Sequence, residues 1–318
     1  MAIRTVPGPA ELDAFLAAYD LGSLRASRGI EAGTVNTSFA LDLGGERWFL
    51  RMYEEQGPEG AAREAELLAH LAAAGVPTPT PAVGRDGQRT RMLAGKPAAL
   101  FPWVDGEMVC TRAVTRSHAH AVGVALATVH RAGRPPGTAL GPGRFHPEAL
   151  VARSARIGAS SDPEARPMEA PLAAAVRQAG ERRAARRDKP VGLVHGDQFR
   201  DNVLWERGSI AALLDFESAH EGPFVFDLAV TILSWSYRDA FELSVARGIS
   251  QGYREVRELE DVEREAFLDE ALFACDRFTL TRITDDALRV GKRWQRFVAR
   301  REALMALGTA GVREAFGL

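Results

Sequence analysis

Cysteine is scarce. The 318 residues include two, Cys110 and Cys275, far apart in the chain and in no Cys-x-x-Cys pair. That excludes a disulfide-stapled scaffold and the usual thiolate zinc site, and both thiols are expected to be buried and reduced. Long hydrophobic runs are missing too. The longest, such as DLAVTIL at 227–233, fall far short of the ~20 apolar residues that span a bilayer. The opening MAIRTVPGPAELDAF has no basic stretch followed by an apolar core, so no signal peptide is expected and the chain reads as cytoplasmic. Charge of one sign is also lacking: 40 basic against 42 acidic residues leave a net −2. A general nucleic-acid binder normally shows a basic bias, so that class is excluded, while a small charged ligand is not. No G-x-x-x-x-G-K-[ST] occurs, which excludes a Walker-type phosphate loop, and no internal repeat is visible.

What remains is ordinary globular material, 46% hydrophobic and 26% charged, enough for one large domain or two moderate ones. AELDAFLAAY at 10–19 has helical spacing. TSFALDL and ERWFLRMY around Gly44 and Gly45 predict a β-hairpin over 37–53. PEGAAREAELLAHLAAAG predicts a helix with Pro58 in its first turn and Gly75 past its end. A strand pair is expected around Gly95. Beyond about residue 104 the pattern turns helical, beginning with a long helix over 113–133. Two short strands, VGLVH and IAALLDF, interrupt it, and 158–171 reads as a polar, Pro-rich loop, either a lid or a linker.

The densest polar cluster is LVHGDQFRDNVLW, residues 193–205. His195, Asp197, Arg200 and Asn202 crowd between two apolar ends, and Asp215 closes a second apolar run in LLDFES. An Asp and an Asn on one loop, with another Asp at a neighbouring strand end, can converge on one point. Hard carboxylate and amide oxygens suit magnesium, which commonly shares its coordination with substrate phosphates. A carboxylate not wholly committed to metal can accept a proton from a substrate hydroxyl. Kinase phosphoryl transfer divides its labour in this way.

HGDQFRDN followed by LLDFE resembles the catalytic and metal-binding loops of the aminoglycoside phosphotransferase and choline kinase superfamily, small-molecule kinases that share the protein-kinase fold. The pattern H-x-D-x-x-x-x-N, then D-x-D or D-x-E, is matched at His195, Asp197, Asn202, Asp215 and Glu217, and FDLA matches the following Asp-Leu pair at Asp227. The resemblance implies an α+β, two-lobed protein-kinase-like fold. A small antiparallel β-sheet lobe over 1–103 would bind nucleotide, and a larger, mostly helical lobe over 104–318 would carry the catalytic groups and bind the acceptor. It implies ATP and Mg2+ as cofactors, Asp197 as catalytic base, Asn202 and Asp215 as metal ligands, and His195 and Asp227 as supports of the loop. GIEAGTVNTSFAL at 29–41 resembles the hairpin that covers the phosphates, which makes Gly33 and Asn36 nucleotide contacts. Arg51 stands where such kinases have a strand Lys or Arg facing the α- and β-phosphates; a solvent-facing strand Arg is the plain alternative. Glu64 resembles its orienting partner, with Glu66 as competitor. LFPWVDGE at 100–107 resembles the segment that meets adenine, which brings in Trp103.

The first 220 residues also resemble the homoserine kinases of this superfamily, through YDLG, the GI-x-x-G-x-x-N hairpin, GVPTPTPAV and FRDNVL. That implies a small-molecule hydroxyl acceptor as partner, best L-homoserine, with no nucleic acid or membrane and the chain acting as a monomer or homodimer. The segment DFESAHEG departs from the aromatic-rich form of that group. Glu217 and Glu221 can bind a substrate ammonium, or serve as a second metal ligand and a solvated charge, and Arg200 can face substrate or solvent. Choline, ethanolamine or aminoglycoside acceptors are the alternatives. A kinase-like ATP-binding protein without turnover is disfavoured by the presence of all three of Asp197, Asn202 and Asp215. The short stretch between Asp215 and Asp227 leaves too few residues for a polypeptide platform and favours a small acceptor.

Overall fold

Strand period decides the first part of the chain. In Thr37–Leu43 (β2), Phe39, Leu41 and Leu43 are buried while Ala40 and Asp42 are half-exposed; in Glu46–Met52 (β3), Leu50 and Met52 are buried between partly exposed neighbours. Period-two burial puts both apolar sets on one face. The computed structural model, which describes residues 3–31, 35–141, 143–186, 188–285 and 294–318, pairs these strands antiparallel from Thr37↔Met52 to Leu43↔Glu46. With Leu24–Ile30 (β1), Thr90–Leu93 (β4) and Lys96–Pro102 (β5) they form a five-stranded sheet of order β1-β2-β3-β5-β4. The short helix Pro9–Leu16 (α1) adds Leu12, Phe15 and Leu16 to the core on Leu41, Leu50 and Leu100. Pro58–Ala73 (α2) buries Ala61, Glu64, Ala65, Leu68 and Leu71 along one stripe.

The structure divides the chain into two compact units. One is Met1–Gly106 with Arg134–Thr138 and Ala211–Leu214; the other is Glu107–Gly133, Ala139–Ile210 and Asp215–Leu318. Leu213 joins the first unit through two bonds, donating its N–H to the Pro77 carbonyl at 2.6 Å and accepting the Thr78 hydroxyl at 3.0 Å.

The second unit is built from Arg116–Ala132 (α3), Pro147–Ser154 (α4), Glu169–Ala185 (α5), Phe224–Ser236 (α6), Leu243–Val256 (α7), Asp261–Thr284 (α8) and Gln295–Phe316 (α9). Val191–Val194 (β6) pairs antiparallel with His220–Pro223 (β9), and Val203–Glu206 (β7) neighbours Ser209–Leu213 (β8). Helix α6, FVFDLAVTILSWS, is apolar on every side and buries all but its first residue, the expected fate of a helix without a polar face. Helix α8 is buried over most of its length although it carries charges. Its buried Glu270 takes Lys189 at 3.0 Å and Arg183 at 2.9 Å, and Glu263 takes Arg257 at 3.0 Å.

Two expectations are corrected here. Cys110 is exposed, and only Cys275 is buried, where burial pushes its thiol up. The stretch 158–171 contains 3-10 turns at Ile157–Ala159 and Arg166–Met168 and then enters α5. Ile157 and Ala165 bury fully there and Asp162 accepts the Trp294 indole N–H at 2.9 Å, so small apolar anchors outweigh its polar composition. No helix among the described residues is long and apolar enough to cross a membrane.

Helices α3 and α7 approach through glycine. A Cβ on Gly123 would stand 2.1 Å from the Ile249 carbonyl oxygen, and one on Gly252 would stand 2.1 Å from that of His120. Both clashes are with backbone, which cannot swing aside. Gly252→Ala is therefore expected to destabilise by about 1–3 kcal/mol despite its better helix propensity. A lowered urea midpoint checks this; an unchanged or raised one refutes the close packing.

Candidate active site

The loop after β6 is held by one buried carboxylate. Asp227, in the first turn of α6, has no exposure and accepts the backbone N–H of His195 at 2.6 Å and of Gly196 at 2.8 Å. A third bond joins it to His130 Nε2 at 3.1 Å, and His130 Nδ1 lies 2.7 Å from the Tyr253 hydroxyl. Arg257 donates to that hydroxyl at 3.1 Å. A single proton arrangement satisfies the row: Arg257 donates to Tyr253, Tyr253 to Nδ1, and neutral His130 through Nε2–H to Asp227. The titration behaviour agrees. Burial holds His130 below its ordinary 6.5, with Asp227 opposing. Burial also works against the Asp227 carboxylate, but the His130 and Gly196 hydrogen bonds outweigh it and hold the group below the usual range.

Gly196 lets the chain turn at this point. Its φ is +76°, and a Cβ would stand 3.0 Å from the Ser218 carbonyl oxygen, so both conformation and space call for glycine. The turn leaves Asp197 half-buried and ahead of Asn202, whose Nδ2 donates to the Asp197 carbonyl at 2.7 Å. His195 is buried against Phe216, centroids 4.5 Å apart, and its Nδ1 accepts the Asp197 N–H at 3.3 Å. Trp235 Nε1 and Ser234 Oγ donate to the Gln198 carbonyl at 3.0 and 3.3 Å, and the Gln198 side chain is buried toward the Val122 carbonyl. Gln198 therefore faces protein, not ligand.

Asp215 has φ +63° and ψ 59°, left-handed for a residue that is not glycine, and opens the turn Phe216–Ser218. Asp tolerates that region better than most residues, and such outliers collect at functional sites. Burial raises the Asp197 carboxyl; Arg277 opposes this and Asp215 adds to it. The carboxylates of Asp197 and Asp215 thus feel each other, a donor set with excess negative charge. With the amide oxygen of Asn202 it suits a hard divalent cation. No group of three His, Cys, Asp or Glu among the described residues forms a metal site by itself, so such a cation would take its remaining ligands from phosphate and water.

Sequence reasoning missed Arg277. It is 3% exposed in α8, donates to the Gly196 carbonyl at 2.6 Å, and lies over the rings of Phe145 and Phe278 at 4.6 and 4.2 Å. Burial pulls its guanidinium down to about 10, with Asp197 opposing. No sequence signal marked it, since Asp276 stands beside it in CDRFTL and its backbone partner, Gly196, lies far along the chain. Glu217, nearly buried, pairs with Arg144 at 3.5 Å. Glu221 is exposed, and its backbone N–H reaches the Gly141 carbonyl. Arg200 is partly buried, with long bonds of 3.4 Å to the Ser234 and Val109 carbonyls.

In the first unit, Arg51 NH1 donates to Glu64 at 3.1 Å, both side chains largely buried, and Gln56 reaches the other Glu64 oxygen at 3.1 Å. Glu66 is exposed and pairs with Arg89 at 3.5 Å. Asn36 Oδ1 accepts the Glu54 N–H at 3.2 Å. Trp103 is half-buried under Arg47, whose guanidinium lies 5.0 Å from the ring. Gly33 lies outside the described residues.

Residues 27–268 match the phosphotransferase enzyme family. The chain is 37% identical over 293 residues to a homoserine kinase of Gluconacetobacter diazotrophicus, covering 90% of this chain and 89% of that one. It is 33% identical over 294 residues to a homoserine kinase of Granulibacter bethesdensis, with the same coverage. Among solved structures it is similar to an amicoumacin kinase complexed with AMP-PNP, Ca2+ and Ami (TM-score 0.73, 14% identity, 95% of this chain and 94% of that one). It is also similar to a microcompartment-associated aminopropanol kinase (TM-score 0.66, 17% identity, 98% and 99%). At those identities the structural likeness shows the fold.

Asp227→Asn replaces one acceptor oxygen by a donor that faces other donors. It is expected to cost about 1–3 kcal/mol per buried group left unsatisfied and to speed amide exchange at His195 and Gly196; unchanged exchange there would contradict the brace. The His130 pKa is depressed in the folded state, so below about 6.5 the unfolded chain takes up a proton that the folded chain refuses. Denaturation midpoints should therefore fall between pH 7.5 and 5.5, and His130→Gln should flatten that slope.

Proposed function

The chain belongs to the phosphotransferase enzyme family, and from that premise we propose that it is an ATP-dependent kinase that transfers the γ-phosphoryl group to the side-chain hydroxyl of L-homoserine. The observation that carries the chemistry is the loop geometry: Asp197 presented by a left-handed Gly196, with Asn202 bonded to its carbonyl and Asp215 within electrostatic reach. The acceptor rests on the two homoserine kinases at 37% and 33% identity along nearly their whole length.

In this reading Asp197 orients the acceptor hydroxyl and receives its proton as the oxygen attacks phosphorus. Burial favours that step, since a base whose pKa is raised toward the working pH takes a proton more readily. Arg277 limits the rise and, through the Gly196 carbonyl, fixes where the Asp197 backbone lies. Asn202 and Asp215 would hold magnesium, whose chemistry there is neutralisation of charge on the transferring phosphates. Arg51, kept extended by Glu64, is the cation for the nucleotide phosphates, and Asn36 and Trp103 are its further nucleotide contacts. His195 and Asp227 support the loop without touching substrate. Positioning and charge stabilisation supply most of the rate. The protein is read as cytoplasmic, acting on a small molecule as a monomer or homodimer.

The direct test is ADP release with Mg-ATP and L-homoserine. Asp197→Asn should lower kcat/KM by about 10²–10⁴-fold. Its denaturation midpoint at pH 7.5 should be equal to or above that of the wild type, because a carboxylate whose folded pKa is raised opposes folding wherever it is ionised. A collapsed midpoint would mean that the loss reports unfolding. The acid limb of kcat/KM should lie above 3.8, and Arg277→Gln should move it to higher pH; a limb unmoved by that substitution would remove Arg277 from the electrostatics of the base.

A further inference from the structure

A cavity of about 100 Å³ opens beside the catalytic loop, and its walls carry four guanidiniums, Arg200, Arg282, Arg296 and Arg300, against one carboxylate, Asp201. Arg200 and Asp201 lie on the loop between Asp197 and Asn202, and the charge of Arg282 reaches Asp197. We infer that this cavity receives the carboxylate of the acceptor, so that the enzyme selects a hydroxy amino acid over the corresponding amino alcohol. The inference rests on the kinase reading above and deepens it.

Like charges at this density need a reason. Burial, with Arg296 adding repulsion, holds Arg300 below the usual guanidinium range, at about 10. Neither Arg200 nor Arg300 has a strong anionic partner among the described residues: Arg200 makes only its two 3.4 Å bonds to carbonyls, and the buried Arg300 Nε has no hydrogen-bond partner among those residues. Arg300 lies over the rings of Phe297 at 4.6 Å and Tyr237 at 5.3 Å. Those contacts fix the plane of a guanidinium fork whose natural complement is a carboxylate. A planar anion entering here relieves the repulsion and supplies the missing acceptors. The volume suits a carboxylate and is too small for a chain of nucleotide phosphates. A short hydroxy amino acid has its hydroxyl and carboxylate at opposite ends, so one end can meet Asp197 while the other meets the cations, of which Arg282 lies within electrostatic reach of Asp197. An ammonium alone would meet repulsion in the same place, so the cavity rejects the decarboxylated acceptor as well as attracting the acid.

The experiment compares L-homoserine with 3-aminopropan-1-ol, which is the same molecule without the carboxylate. ADP release with saturating Mg-ATP is measured for the full-length wild type, Arg296→Gln and Arg300→Lys. The wild type should favour homoserine by about 100-fold or more in kcat/KM. Arg296→Gln should lower that ratio by about tenfold or more, the loss of one charge-assisted hydrogen bond. Arg300→Lys, which keeps the charge and loses the fork, should lower it by a smaller factor and through KM for homoserine. Both acceptors are measured on one preparation, so any misfolded fraction cancels from the ratio. Turnover of homoserine with a ratio near one, or with a ratio that neither substitution moves, overturns the inference and leaves the homoserine reading standing. No turnover of homoserine overturns both.

Discussion

Asp227 holds the catalytic loop by accepting two consecutive backbone N–H groups from inside the helical core. Those donors belong to His195 and Gly196, the residues that turn the chain after β6, so the carboxylate fixes the start of the loop and not merely a neighbour of it. Its charge is tolerated in a buried site because the His195 N–H, the Gly196 N–H and His130 Nε2 all donate to it, and because the His130–Tyr253–Arg257 row leads that charge toward a cation and on to Glu263. Buried charge that is paired and hydrogen-bonded is costly to break and cheap to keep. The brace therefore works as a hinge pin: α3, α6 and α7 each send one member to it, and their packing and the loop geometry are one problem.

The remainder of the site inverts that logic. Asp197 sits where burial and Asp215 oppose its charge, and Arg200 and Arg300 sit where burial and Arg296 oppose theirs. Acids near acids and bases near bases are poor for stability and useful for function, since each group is primed for a charged ligand. The satisfied network under the loop makes the unsatisfied one above it affordable.

Much of this was legible in the sequence where local pattern and local chemistry agree. The β2–β3 hairpin, α2 and the strand pair around Gly95 follow from period and turn residues. HGDQFRDN with LLDFE pointed to the candidate site because the spacing within each short loop is fixed locally. Strand β1 escaped notice because LRASRGI is an exposed edge with no buried alternation, and β7 and β9 are four residues each. The choice of Glu64 over Glu66 was available: Ala61, Glu64, Leu68 and Leu71 form the buried stripe of α2, and a residue two positions on faces away. Arg277 was not, because its partners, the Gly196 carbonyl and the rings of Phe145 and Phe278, are distant in sequence or invisible to periodicity. The membership of 134–138 and 211–214 in the first unit is likewise a property of tertiary contact alone.

The left-handed backbone at Asp215 sets two filters on that position at once. A side chain there must suit the chemistry, and its main chain must accept a positive φ, which Asn and Gly do readily and a β-branched residue does not. The tolerated alphabet is therefore narrower than the chemistry alone would demand, and it separates the two roles. Glycine keeps the path of the chain and removes the carboxylate, asparagine keeps path and shape and removes the charge, and alanine confounds all of these. Any survey of variation at 215 thus reads out main-chain geometry as much as acidity.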